Sequence, residues 1–315
     1  MPSTSMNKKI ILAGGTGTMG LILQKHFAKR GDQVVVLTRR PGIKHHPLAD
    51  MVHWDAQSLG AWAGELEGAD VVINLAGRSV DCRYTPANKA QILNSRVDAT
   101  RALGTAIAKC ASPPKLWINL STATIYRHAE DRDMDEETGE LGNGFSVDVA
   151  KAWEDEFFRH EPERTRQVAV RCAMVFSHHG GAFPRFAQLT RFGLGGYHAS
   201  GQQFVSWVHE ADVSGFFQWL IDTPNVFGTI NLASPKPLRE TDLMRALRDR
   251  IKPWIHFNVP EWMLTIGAFF LRTETELVLK SRRVVPTRAQ QLGYIFLYPS
   301  INHALDELFG QRAQL

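Results

Sequence analysis

Short unbroken apolar runs alternate along this chain with longer stretches in which apolar residues recur every three or four positions. Lys9–Ala13, QVVVLT (33–38), ADVVINL (69–75), KLWINLS (115–121) and TRQVAVRCAMVF (165–176) read as strands, with MVHWD around Val52 as a further one. LILQKHFAKRG reads as a helix that turns Leu21, Ile22, Phe27 and Ala28 inward and stops at Gly31. Residues 86–110 carry a helical pattern through Ile92, Val97, Leu103 and Ile107, ended by Ser112-Pro113-Pro114, and 145–159 carry another. Residues 56–69 read as a short helix or loop, and 127–144 as a polar loop. Continuously apolar strands are those a parallel sheet buries on both faces. Their alternation with helices predicts an α/β fold, a doubly wound parallel sheet with right-handed crossovers.

After Ser177 the texture changes to glycines, aromatics and turn residues, as in HHGGAFPRF and FGLGGYHASGQQFVSWVH. A smaller, discontinuous C-terminal substrate lobe is expected there. GTINLA (228–233) is expected to return a strand to the main sheet, and YIFLYP (294–299) reads as strand-like. The expected division is 7–177 as the main domain, completed by 205–235, with 178–204 and 236–305 as the lobe.

GGTGTMG lies between the first strand and the first helix, and Gly14, Gly17 and Gly20 have GxxGxxG spacing. A tight turn and a close backbone approach to pyrophosphate exclude side chains, and the following helix N-terminus offers free N–H groups to the anion. Thr16, Thr18 and Met19 belong to the same turn. This predicts a Rossmann-type dinucleotide grip; no GKS or GKT follows that would make a P-loop. The second strand ends Leu37-Thr38-Arg39-Arg40, with no acid for the adenosine ribose hydroxyls. Arg39 and Arg40 suit the additional 2′-phosphate of NADP, so NADP (NADPH) is favoured over NAD. Asp55, after the third strand, is a candidate contact for the adenine edge.

Composition adds exclusions. The 315 residues carry a formal charge of +4 in scattered positions, without the basic stripe of a nucleic-acid binder. The three cysteines, Cys82, Cys110 and Cys172, form neither a zinc pattern nor a CxxC, which fits a reducing compartment. No apolar signal core precedes the first strand, and Trp262–Leu271 is too short an apolar run to span a bilayer. A cytoplasmic protein without membrane partners is expected, as monomer or homodimer. The pairs His45-His46 and His178-His179 would point apart in a strand, so no metal is expected.

The chain resembles the extended and atypical short-chain dehydrogenase/reductase superfamily, in particular its epimerase-like branch with a distinctive C-terminal domain. The resemblance lies in AGGTGTMG, VVVLTRRP, VVINLAG, KAQILNSRVDATRAL (89–103), INLSTATIY, AWE (152–154), GLGGYHASGQQFVSWVHEADV (193–213), INLASPKP and SRRVVPTRAQQLGYIFLYP (281–299). It implies an NAD(P)-binding Rossmann domain with a cleft beneath a smaller lobe. Asn74, Leu75, Ala76 and Gly77 would line the cofactor, and Leu120, Ser121 and Thr122 would face its nicotinamide half. Open α/β sheets likewise bind ligands at the carboxyl ends of their strands. Asn74, Ser121 and Thr122 are equally residue types that cap backbone groups in turns.

The superfamily's usual catalytic pair is a tyrosine with a lysine four residues on, sharing one helix face. Aligned on Glu154, FSVDVAKAWEDEFF puts Ser146 at the tyrosine position and Ala150 at the lysine position. Lys151 falls one residue late, with Val147 four residues before it. Thr122 matches the pair's companion serine, and Tyr126 resembles a structural tyrosine. Candidate proton donors are therefore His209, Tyr197, Lys151 and Tyr126, while His209 and Asp212 are also fit for stabilising a loop. The expected function is an NADP-binding oxidoreductase or nucleotide-sugar-epimerase-like protein acting on a small polar substrate. The alternative is a non-catalytic NADP-binding sensor or regulatory protein.

Overall fold

The computed structural model describes residues 7–40, 42, 49–264 and 279–310. His45-His46 and most of Trp262–Leu271 lie outside the described residues. Strands β1 (Lys9–Ala13), β2 (Gln33–Thr38), β3 (Ala49–His53), β4 (Val71–Asn74), β5 (Leu116–Thr122), β6 (Arg166–Cys172) and the later Gly228–Leu232 form one seven-stranded sheet. Its order is Gly228–Leu232, β6, β5, β4, β1, β2, β3, and every pairing is parallel. This is the doubly wound Rossmann order, in which the chain reverses direction between β1 and β4 and leaves a crevice at the strands' carboxyl ends.

Each strand feeds both faces because successive side chains point to opposite sides. Ile10, Leu12, Val34, Val36, Val71, Ile73 and Ile118 pack with Leu23 and Phe27 of α1 (Thr18–Lys29). Phe216, Phe217 and Leu220 cover the same face from a later helix, Glu210–Asp222. Ile11, Val35, Leu37, Val72 and Trp117 pack on the opposite face. There they meet Ala99, Leu103 and Ile107 of α2 (Pro86–Ile107) and Phe157 of α3 (Phe145–Phe158). Thr85 caps α2 by accepting the Asn88 N–H, with Pro86 in the first turn.

Two expected strands differ. Residues 165–176 are not one strand: β6 ends at Cys172, and β7 (Met174–Ser177) joins a separate sheet with β8 (Gly180–Gly181) and β10 (Trp207–His209). The break falls at Ala173, whose N–H still donates to Leu232, whereas the next N–H, of Met174, donates to Ser206. YIFLYP is not a strand either. Tyr294 and Phe296 are buried in the main core, and the Leu297 and Tyr298 N–H groups donate to the Asp212 carboxylate at 2.6 and 3.0 Å. A carboxylate thus supplies the acceptors that a strand neighbour would have supplied.

The smaller lobe has its own core of Phe176, Phe183, Trp207, Leu243, Leu247, Leu305 and Leu308. It combines β9 (Phe204–Val205), paired antiparallel with β12 (Leu238–Arg239), and helices α4 (Phe183–Arg191) and α6 (Glu240–Ile251) with the terminal helix Ile301–Gly310. β11 (Gly228–Leu232), the returning strand expected at 228–233, lies at the edge of the main sheet beside β6. No helix among the described residues is long and apolar enough to cross a membrane.

Candidate functional site

The glycines of the β1–α1 turn serve three different needs. Gly14 has φ +76°, and a Cβ there would meet the Ala76 backbone at 2.7 Å, so it brings the turn against the end of β4. A Cβ on Gly20 would fall 1.9 Å from the Gly15 carbonyl oxygen, so helix α1 can begin there only without a side chain. Gly17 is the residue with open space: a Cβ there meets nothing within 4 Å. It is also the N-cap of α1, with no side-chain cap and no acid in the first turn. The helix thus presents uncapped donors and the positive end of its dipole to that space, which fits a pyrophosphate. Gly15 was missed by the spacing argument. Its carbonyl accepts from buried Gln24 at 2.7 Å, which braces the turn. Thr16 lies in the turn, while Thr18 and Met19 open α1, with Met19 packed partly on the core.

The end of β2 lies beside this turn, since the Gly14 N–H donates to Leu37 at 2.9 Å. Arg39 and Arg40 follow as exposed residues, and the Arg40 N–H donates to the Thr38 hydroxyl. Asp55 is exposed, but its carboxylate accepts from the Gln57 and Ser58 N–H groups and from the Ser58 hydroxyl. Those bonds, led by the Ser58 hydroxyl, hold its pKa down to about 2. Asp55 is first of all the cap of its own turn.

At the ends of β4 and β5 several expected contact residues are occupied by the fold. Asn74 is fully buried; its amide donates to Thr100 and Asn119 at 3.0 and 2.7 Å and accepts from the Ala76 N–H. It shapes the Leu75–Gly77 backbone and presents no side chain to a ligand. Leu120 packs partly on the core. Ser121 is buried and donates to Glu154 at 2.5 Å. Glu154 in turn grips Arg171 through Nε and Nη2 at 3.0 and 2.7 Å. Arg171 donates to the Tyr126 hydroxyl, and that hydroxyl donates to Asn231. Burial opposes the Arg171 charge, yet Glu154 and Tyr126 hold its pKa above the ordinary arginine value. Tyr126 belongs to this closed network, where burial pushes its pKa up.

Thr122, one residue beyond Ser121, faces the other way. It lines a cavity of about 130 Å³ whose wall includes Tyr84, Arg96, Thr124, Phe145, Ser146, Ala150 and Trp153. The Thr122 hydroxyl accepts the Thr124 N–H at 3.1 Å, which leaves its own proton to donate. Ser146 and Ala150, the positions of the tyrosine–lysine pair, lie on the same wall as Thr122. A second hollow, lined by Phe204, Ser206, Glu240 and Arg282 among others, measures about 20 Å³, room for a single water.

The other expected proton donors are placed elsewhere. Lys151 donates to the Gly142 carbonyl at 2.9 Å and secures the polar loop. One residue past Ala150, it is turned about 100° around α3 from the cavity wall. Tyr197 sits on the lobe's surface, where its N–H donates to Asn258. His209 ends β10 and is the N-cap of α5 (Glu210–Asp222), its Nδ1 accepting from the Ala211 N–H at 3.1 Å. Nε2 therefore bears the proton and donates to Glu307 at 2.9 Å, while the ring stacks on Tyr298. Burial, then His178 and His303, lower its pKa to about 4. None of these three lines the cavity. Lys151 and His209 are residue types suited to proton transfer whose side-chain nitrogens are engaged elsewhere.

Arg96 went unnoticed as a site residue. Its sequence signal is a charge on the apolar stripe of α2, four residues after Ile92 and three before Ala99.

A parallel sheet in this order, with an uncapped glycine turn at its crevice, defines a Rossmann-type dinucleotide-binding protein. The chain belongs to the NAD dependent epimerase/dehydratase family, whose model matches residues 10–233, and residues 259–308 match a domain of unknown function (DUF1731). It is 29% identical over 306 residues to the epimerase family protein SDR39U1 of Bos taurus, covering 96% of this chain and 100% of that one. It is 30% identical over 302 residues to the epimerase family protein SSP1921 of Staphylococcus saprophyticus, covering 96% and 99%. Its fold resembles the crystal structure of human epimerase family protein SDR39U1 (isoform 2) with NADPH, at TM-score 0.84 and 27% identity over 95% of this chain and 98% of that one.

Proposed function

We propose that this protein is an NADP-linked oxidoreductase or epimerase whose small polar substrate occupies the cavity at the end of β5. The carrying observation is the alignment of three features along the carboxyl ends of neighbouring strands. Arg39 and Arg40 follow β2, the uncapped turn follows β1, and the cavity opens where Thr122 ends β5. A dinucleotide stretched across β2, β1, β4 and β5 would meet them in that order. Gly14, Thr16, Gly17, Thr18, Met19 and Gly20 would hold its pyrophosphate. Leu75, Ala76 and Gly77 would pass beneath it through backbone that Asn74 fixes. The NADPH bound by the human relative supports the choice of cofactor. When bound, the nicotinamide would supply or accept a hydride.

Thr122 would then orient a substrate oxygen with its free hydroxyl proton, and Tyr84 places a phenol on the same wall. Residues 7–177 with 205–235 would form the cofactor domain, and 178–204 with 236–305 the lobe that closes the cleft. Ser146 and Ala150 favour a second reading, a nucleotide-binding sensor, because α3 offers the cavity no phenol–ammonium pair.

Titrating NADPH and NADH against the wild type and the Arg39→Ser/Arg40→Ser double variant tests the cofactor assignment. NADPH should weaken by at least about tenfold and NADH by far less, since charge-assisted bonds to the 2′-phosphate are lost. Equal weakening of both would overturn the 2′-phosphate role. A change in 340 nm absorbance with carbonyl or sugar substrates supports turnover; its absence throughout favours the sensor.

A further inference from the structure

Among the described residues, Arg96 is the one cation on the cavity wall, and none of them places an acid there. Its Nη1 donates to two carbonyls, Arg78 and Ile92, each at 3.0 Å. The face of the guanidinium lies over the Trp153 ring at 5.1 Å. Gly77 closes in beside it: a Cβ there would come within 3.0 Å of the guanidinium carbon. Trp153 is itself fixed by its donation to Thr100, whose hydroxyl donates to the Arg96 carbonyl. Backbone bonds, an indole and a glycine thus lock the fork in place. Carbonyl partners hold a guanidinium without neutralising it.

Among the described residues nothing bonds its other edge, Nε with Nη2. Elsewhere in this molecule that edge grips carboxylates, as with Arg171 on Glu154 at 3.0 and 2.7 Å and Arg101 on Glu156 at 3.2 Å for both bonds. At Arg96 no carboxylate of a described residue takes that place. Burial lowers its pKa to about 10, which keeps it cationic at neutral pH. A pre-oriented, uncompensated fork in an enclosed wall is the arrangement that recognises a planar oxyanion.

We propose that Arg96 binds a carboxylate of the substrate, so that this cavity takes a small carboxylic acid with an apolar body. Val80, Ile92, Phe145 and Val149 line the remainder and suit that body. The substrate assignment rests on the cavity being the substrate end of the proposed dinucleotide cleft; the anion site itself does not need the dinucleotide.

The test uses the full chain with benzoate, its neutral counterpart benzamide, and phenylphosphonate, with binding followed by ligand-observed NMR. Wild type should bind benzoate at least about tenfold more tightly than benzamide, and Arg96→Gln should erase that preference. Should Arg96→Gln misfold, Ser146→Glu serves instead: it puts a competing carboxylate on the cavity wall, in the first turn of α3 where acids are tolerated. It should likewise abolish benzoate binding. Equal affinity for benzoate and benzamide, a preference that survives either variant, or tighter binding of phenylphosphonate than of benzoate overturns the proposal. NADPH binding to the wild type is measured separately. Loss of benzoate selectivity with NADPH retained fails Arg96 alone; selectivity retained without NADPH binding fails the cofactor reading alone.

Discussion

Two adjacent residues of α3, Trp153 and Glu154, each meet an arginine, and the two arginines live in opposite circumstances. Glu154 neutralises Arg171 inside a network that runs from Ser121 through Tyr126 to Asn231, and all five side chains are buried. Trp153 only stacks on Arg96, whose charge lines a cavity with no acid among the described residues of its wall. The same division runs along β5, where Ser121 enters the closed network and Thr122 the open cavity. One residue on a strand reverses the side chain, and one residue on a helix turns it by about 100°. Polar residues that look alike in the sequence are thereby divided between holding the fold together and meeting a ligand.

The largest expected effect lies on the closed side. Arg171→Met strands the Glu154 carboxylate in the interior and should lower unfolding stability by roughly 3–5 kcal/mol in urea denaturation. A loss below about 1 kcal/mol would mean that the network is less closed than its geometry indicates.

His209 belongs to the same closed class, and its expected effect is smaller. Its pKa is lowered to about 4 in the folded chain, so above the unfolded value near 6.5 its contribution to stability is fully present. As pH falls from about 6.5 to 4, the unfolded chain takes up a proton that the folded chain refuses, and stability drops by roughly 2–3 kcal/mol. His209→Asn retains an N-cap acceptor and should remove that part of the pH dependence. Identical pH profiles for variant and wild type would argue against the buried neutral ring.

The open side is probed at Gly17. A methyl group there touches no protein atom, and its φ of −88° suits alanine. Gly17→Ala should unfold within a few degrees of the wild type yet weaken NADPH by about tenfold, close to 1.4 kcal/mol. A variant that binds NADPH normally would mean that the space above Gly17 is not where the pyrophosphate lies.

Much of this was legible beforehand. Strand–helix order, the glycine turn and the return of 228–233 to the sheet follow from periodicity and from residues with narrow steric roles. The displacement of Lys151 was also visible, because an α-helix converts a one-residue offset into a fixed rotation. Arg96 was missed although it stands on the apolar stripe of α2, since a lone charge in such a stripe does not reveal its partner. His209 and Tyr197 are acid–base residue types, and chemistry alone does not say that one caps α5 and the other sits on the lobe's surface.

The sequence by itself determined the order of strands and helices, the uncapped turn and the vacancy of the tyrosine–lysine positions, all of which depend on neighbours within a few residues. Only the tertiary structure decided that Ser146, Ala150, Thr122 and Arg96 share one cavity. It alone decided that Ser121, Glu154, Arg171 and Asn231 close on one another, because each owes its role to a partner supplied by another strand or helix. Whether a polar group is satisfied or left to a ligand is settled by those distant partners, and local pattern carries no record of them.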